Sequence, residues 1–225
     1  MQTLMIAMAC VLTSAEVHVS PAAAATAWSS DLETGSLLFS DGKCLAVKVV
    51  SRSRFTHVAV VVREKKGVFV YDSQNGIGVR RLSLAEYLGQ NVGVEIEILR
   101  PRDSLAASQK IGLQKYLKSQ LGRPYAIMHH LTGSRREGLH CAEYLTDALM
   151  AIELISAEQP SRVSPASLHS ALLTHKLYRH QRTAQLDLPE PERVEGKNWC
   201  HELWYETKDC WSSCWSGFRG CVLCQ

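Results

Sequence analysis

Between Phe55 and Ser73 the sequence reads FTHVAVVVREKKGVFVYDS, two runs of β-branched and aromatic residues joined by a charged turn that ends in Gly67. Branching at Cβ restricts χ1 in a way that suits a pleated sheet, so this density of Val and Thr favours extended backbone. The first run, THVAVVV (56–62), is apolar almost throughout, which suits a buried strand. The second, VFVYDS (68–73), follows the turn as the other arm of a hairpin. Two polar residues interrupt the pair: His57 in the first run and Asp72 in the second. A polar ring in an apolar strand needs a partner. One reading is a core histidine satisfied by a backbone carbonyl. The other is a strand that presents His57 to a reactive group, with Asp72 accepting from its second nitrogen and fixing the tautomer.

Other segments extend this pattern. SLLFS (36–40) and CLAVKVV (44–50) read as strands about the turn Asp41-Gly42, and VEIEILRP alternates as a further strand. GIGVRRLS reads as a return to the surface. Ser83 then opens the short helix LAEYLG, with Glu86 placed for a capping box. DSLAASQKIGLQKYLKSQLG is amphipathic, opened by Asp103 or Ser104 and closed by Gly122. The loop RPYAIMHHLTGSRREG leads into EGLHCAEYLTDALM (137–150), a helix with His140 and Cys141 in its opening turn. Ser164-Pro165 begins one more short helix. There is no internal repeat. Strands come before most helices, an order that predicts an α+β fold, an antiparallel sheet with helices on one side.

Cys141 is the chemically pointed residue of the set. The positive end of a helix dipole favours a thiolate, so a cysteine at a helix N-terminus is a candidate nucleophile. Such a nucleophile needs an imidazole within reach and a third group to orient it. His57 and Asp72 supply both if their hairpin packs against the Cys141 helix. His140 is the weaker base, because neighbours on a helix diverge by about 100°. His169, His175, His180 and His201 are expected beyond the central elements, on a helix face or in the tail.

The remaining cysteines have a different distribution. Cys200, Cys210, Cys214, Cys221 and Cys224 crowd the C-terminus among tryptophan, glycine and serine, after the Pro- and Glu-rich stretch DLPEPERVEGK. A segment of this composition has no helix or strand period and is held either by disulfides, with Cys44 as the sixth partner, or, less well matched in spacing, by zinc, or else is an unstructured tail with unpaired cysteines. At the other end, LMIAMACVL is apolar but too short to span a bilayer, and SPAAAATA offers a small-residue cleavage position after Ala27. A secretory signal and a disordered extension are both open. The expected organisation is therefore 1–27 as signal or extension, 28–183 as the domain, 184–197 as linker and 198–225 as a Cys/Trp-rich tail. A real signal would make the protein secreted or periplasmic, and otherwise it is cytoplasmic.

With 225 residues, 46% apolar and 21% charged, the chain has the composition of a globular protein. Its net charge of +3, spread along the sequence, gives no argument for nucleic acid. No segment is long and apolar enough to be read as a membrane span.

Taken in order, GSLLFS, FTHVAVVV, VYDS with LSLAEYL, LGRPYA and LHCAEYLTDAL resemble the circularly permuted papain-like hydrolases, the YiiX/YebB-like branch of the NlpC/P60 superfamily. There the histidine strand precedes the cysteine helix, and the likeness covers roughly residues 34 to 170. The resemblance implies a papain-like α+β fold with an antiparallel sheet packed against the nucleophile-bearing helix. It puts the nucleophile on Cys141, the base on His57 and the orienting group on Asp72, where such proteins often have glutamate. It also implies substrate contacts at Glu143 and Tyr125. Ala142 stands for the family's serine, Ala126 for a frequent aspartate and Gly35-Ser36 for its opening Gly-Asp. The implied activity is hydrolysis of an amide, peptide or ester bond, with no cofactor or metal required. Two other functions stay open: lipid acyl transfer or phospholipase action on the same scaffold, and a secreted, non-catalytic binding module.

Overall fold

A computed structural model describes residues 20–41, 54–126, 135 and 137–186. The expected strand at 44–50, most of the loop before Cys141, the C-terminal tail and Cys44 lie outside these residues.

The described chain builds a six-stranded sheet in the order β4-β3-β2-β1-β5-β6, every neighbour antiparallel. The strands are β1 (Leu37–Ser40), β2 (His57–Glu64), β3 (Gly67–Gln74), β4 (Gly78–Ser83), β5 (Glu95–Pro101) and β6 (Tyr178–Gln185). The helices are α1 (Pro21–Asp31), α2 (Leu84–Gln90), α3 (Ala107–Ser119), α4 (Cys141–Met150) and α5 (Pro165–Thr174), with a 3₁₀ turn at Pro160–Arg162.

The unbroken apolar run in β2 is explained by its place. Val58, Val60 and Val62 point into one core with Leu37, Phe39 and Tyr71, beneath Leu113 and Leu117 of α3, Tyr144 and Leu145 of α4, and Leu168 of α5. Ala59 and Val61 point into a second core with Leu38, Val70 and Ile98, under Trp28 of α1 and Tyr87 and Leu88 of α2. Helices therefore cover both faces, not the single face expected from strand order alone. The alternation that would mark a solvated face is absent because no face of β2 is solvated.

Three local expectations are corrected. GIGVRRLS is not a surface return: Gly78–Ser83 is strand β4, paired with β3 through Asp72↔Arg80 and its neighbours. Helix α3 opens at Ala107 rather than beside Asp103 or Ser104, with Gln109 reaching back to the Ala106 N–H. Residues 178–185, which had no assigned element, form β6, so 184 and 185 belong to the sheet and not to a linker. Ala27, the expected cleavage position, lies within α1, whose Ala24, Ala25 and Trp28 are buried in the second core. The capping box of Ser83 and Glu86 and the Ser164-Pro165 start are present as read.

Candidate active site

The sheet and α4 meet at residue 141. Helix α4 packs against β2 and β3, and Cys141 is its first residue. Its approach is fixed by three hydrogen bonds in the preceding segment. Ser73 Oγ of β3 donates to Leu139 O at 2.6 Å. Leu139 N–H donates to Pro124 O at 2.9 Å, and Arg123 Nε donates to Glu137 O at 2.8 Å. Residues 122–124 are tied in turn to β4, through Val79 N–H to Arg123 O and Gly122 N–H to Val79 O. Gly138 makes the close approach possible, since a Cβ there would lie 2.3 Å from the Ala126 methyl.

His57 opens β2. Its Nε2 lies 3.0 Å from Asp72 Oδ2, and it is hydrogen-bonded to Cys141 as well. Because Nε2 is committed to the carboxylate, Nδ1 is the nitrogen left for sulfur. Asp72 is 1% exposed and is also held by Arg80, Nε to Oδ1 at 2.8 Å and Nη2 to Oδ2 at 3.2 Å. Both contacts follow from register, since Arg80 lies directly across from Asp72 on β4. Burial raises the Asp72 carboxyl, but hydrogen bonding to His57 and the charges of His57 and Arg80 outweigh it and hold the group ionised.

Electrostatics then separates the thiol and the imidazole. Burial lowers His57, yet the Asp72 and Cys141 hydrogen bonds prevail and push it up to about 10. Burial raises Cys141, yet His140 and His57 favour the thiolate and bring it down to about 6. The arrangement is that of a thiolate–imidazolium pair.

His140 is the N-cap of α4. Its Nε2 donates to Ser161 O at 2.8 Å, and Nδ1 accepts from the Glu143 N–H at 3.3 Å. Burial lowers its pKa, while Cys141 and the Ser161 carbonyl raise it, with a net upward shift. A proton gained at Nδ1 would end the cap and turn that nitrogen into a donor. Beneath the site, buried Tyr87 feels the charge of Asp72, which with burial pushes its hydroxyl up.

The two expected substrate contacts have different surroundings. Tyr125 is half-buried, and burial together with the Cys141 charge raises its hydroxyl, which puts it within electrostatic range of the sulfur. Glu143 is fully buried on the first turn of α4, its Oε1 3.2 Å from Arg135 Nε, while Arg135 Nη2 reaches Asp147 at 2.6 Å. That carboxylate is engaged inside the protein. His169 lies on a helix, α5, as expected, but faces the sheet: it bonds Glu97 of β5 at 2.7 Å and packs edge-on against Phe39, centroids 5.0 Å apart.

The sequence reading missed Arg80, Ser73 and the capping role of His140. Arg80 had a usable signal: in a strand, Arg80 and Leu82 share a face, so β4 would have put a cation opposite Asp72. Among the described residues, no group of three or more His, Cys, Asp or Glu is placed to hold a metal ion. No helix among them is long and apolar enough to cross a membrane.

Comparison with known proteins agrees with this architecture. No curated protein matches the chain significantly in sequence. Among solved structures it is similar to the crystal structure of metalloprotein yiiX from Escherichia coli O157:H7, with 16% identity and a TM-score of 0.53 over 68% of this chain and 98% of that one. At that identity the likeness speaks for the fold, a helix-covered antiparallel sheet. The model of the permuted papain-like amidase enzymes, YaeF/YiiX, matches residues 31–179. That span holds β1 to β5, the His57 strand and the whole of α4, and the chain belongs to this family, the C92 permuted papain-like amidases.

Proposed function

We propose that the protein cleaves an amide or ester bond through a Cys141 acyl-enzyme, with His57 as acid–base and Asp72 as its orienting group. The observation that carries this reading is the chain of contacts Cys141–His57–Asp72, in which Asp72 takes Nε2 and leaves Nδ1 for the thiol. The amidase family supplies the reaction class.

The Cys141 thiolate attacks the carbonyl carbon, a C–S bond forms, and the carbonyl electrons move onto oxygen. The N–H of Cys141 belongs to the first turn of α4, whose amides have no partner within the helix, and is offered to that oxyanion. On collapse the C–N or C–O bond breaks, and the His57 proton goes to the leaving group. Water then attacks the thioester and gives its proton to His57; the C–S bond breaks, the acid is released, and the thiolate–imidazolium pair is restored. An acceptor other than water at this step would make the same centre an acyltransferase.

The test is incubation with a mixed panel of peptide, acyl-amide and ester substrates, with mass spectrometry of the intact protein. A covalent adduct on Cys141 and turnover lost in Cys141→Ser and His57→Ala support the reading. Turnover that survives in both variants refutes it.

A further inference from the structure

Away from the Cys141 site, a second buried carboxylate is gripped by an imidazole and a guanidinium. Glu97 of β5 is 5% exposed, and its Oε1 accepts from His169 Nε2 of α5 at 2.7 Å. Its Oε2 accepts from Arg54 Nη2, while Arg54 Nη1 donates to Glu95 Oε1 at 3.1 Å. Three rings gather beside this carboxylate. His169 lies against Phe55, centroids 4.5 Å apart and planes inclined by 36°, and meets Phe39 edge-on. Phe39 and Phe55 are 5.5 Å apart, and the Arg54 guanidinium lies 4.6 Å from the Phe55 centroid. These separations are within the range of ring–ring and cation–ring attraction.

The cluster pins the segment that delivers His57. Phe55 is two residues before the imidazole and Arg54 three, and the Thr56 N–H donates to Ser40 O at 3.1 Å where β2 begins. His57 is the first residue of its strand, and the ends of elements open more readily than their centres. Yet its ring must meet two partners at once, Asp72 through Nε2 and the sulfur through Nδ1. An error of about 1 Å in such a placement can cost about 100-fold in rate. Apolar residues of similar volume often serve stability as well as a buried ionic contact does, so what the Glu97 contacts add is a fixed geometry.

We propose that His169 is a positioning residue for His57: held by Glu97, its ring fixes Phe55 and so sets where β2 begins and where the imidazole stands. The proposal rests on the reading of His57 as the acid–base group. His169 acts through Phe55 and not on the reacting atoms.

The test is the pH dependence of iodoacetamide alkylation at Cys141, read by mass spectrometry on the full chain. The wild-type thiol should titrate at about 6. His169→Ala releases Phe55, so the thiol should titrate about one pH unit or more higher, toward the free-thiol value of about 8.5. Phe55→Leu, which keeps apolar bulk but removes the ring, should do the same. His169→Phe keeps a ring against Phe55 and should hold the titration near its wild-type place. Leu113→Ala, a cavity on the α3 side of the same core, should lower Tm yet leave the thiol where it was, which separates positioning from lost stability. A titration unmoved in His169→Ala and Phe55→Leu, or moved as far by Leu113→Ala, would overturn the proposal. So would a His169→Phe thiol that titrates as high as that of Phe55→Leu. A wild-type thiol already at about 8.5 would remove the acid–base reading itself, and the proposal with it.

Discussion

Ser73 and Leu139, far apart in sequence, are joined at 2.6 Å by a buried hydrogen bond between a strand hydroxyl and a carbonyl two residues before Cys141. The neighbouring strand residue, Asp72, holds His57. Two adjacent positions on β3 therefore set both halves of the candidate site: one fixes the imidazole and the other the approach to the thiol. Ser73→Ala should leave the Leu139 carbonyl buried without this donor, a loss of about 1–3 kcal/mol. Urea unfolding should show that loss, and the alkylation rate of Cys141 should fall with it. Full reactivity at unchanged stability would contradict this coupling.

The pH dependence follows from the two shifts. Cys141 ionises at about 6, so the reactive thiolate grows as pH rises through that value. His57 keeps its proton until about 10, and its ability to protonate a leaving group is lost above it. A plot of kcat/KM should rise near pH 6, stay level, and fall near pH 10. In His57→Ala, iodoacetamide alkylation should titrate at a higher pH, toward the free-thiol value of about 8.5. A wild-type thiol that titrates at that value would remove the ion pair.

Arg80 grips Asp72 with two nitrogens, which an ammonium cannot imitate. Arg80→Lys should retain the fold but loosen the carboxylate, lowering kcat with little change in KM. Arg80→Met leaves a buried carboxylate short of one cation, and removing a partner from such a pair costs about 3–5 kcal/mol. Thermal unfolding should separate the two variants. Equal stability in both would show that a cation opposite Asp72 contributes nothing.

The sequence made the centre of this fold readable because its signals there are local and redundant. A β-branched run, a Gly-ended turn and a second run give the β2–β3 hairpin, and its two polar residues stand out against it. Ser83 with Glu86, and Ser164 with Pro165, mark helix starts through side chains within three residues of each other. What stayed hidden depends on partners distant in sequence. The polar β4 and β6 strands have no apolar period, because their Arg80, Arg81, Arg182 and Gln185 side chains are spent on ion pairs and edges. Helix α1 is mostly alanine and serine around one tryptophan, a composition that also suits a cleavage site. The pairing of Ser73 with Leu139 and of His169 with Glu97 needs the tertiary register, which no short window of sequence contains.

His140 offers the sharpest division between structural and chemical roles. As N-cap it accepts the Glu143 N–H through Nδ1, a task that Asn or Ser ordinarily performs better. Its position beside Cys141 also favours the thiolate. The two roles part in His140→Asn. Asparagine restores a good cap, so α4 should persist and Tm should hold or rise. It supplies no titratable ring, so the Cys141 pKa should move up from about 6 while His57 still bonds the sulfur. Circular dichroism against temperature reads the first effect, and the pH profile of alkylation reads the second. If the thiol pKa stays in place while the helix loosens, His140 is a cap alone. If both hold steady, asparagine has replaced the cap and His140 does not tune the thiol, so His57 with the helix N-terminus accounts for its acidity.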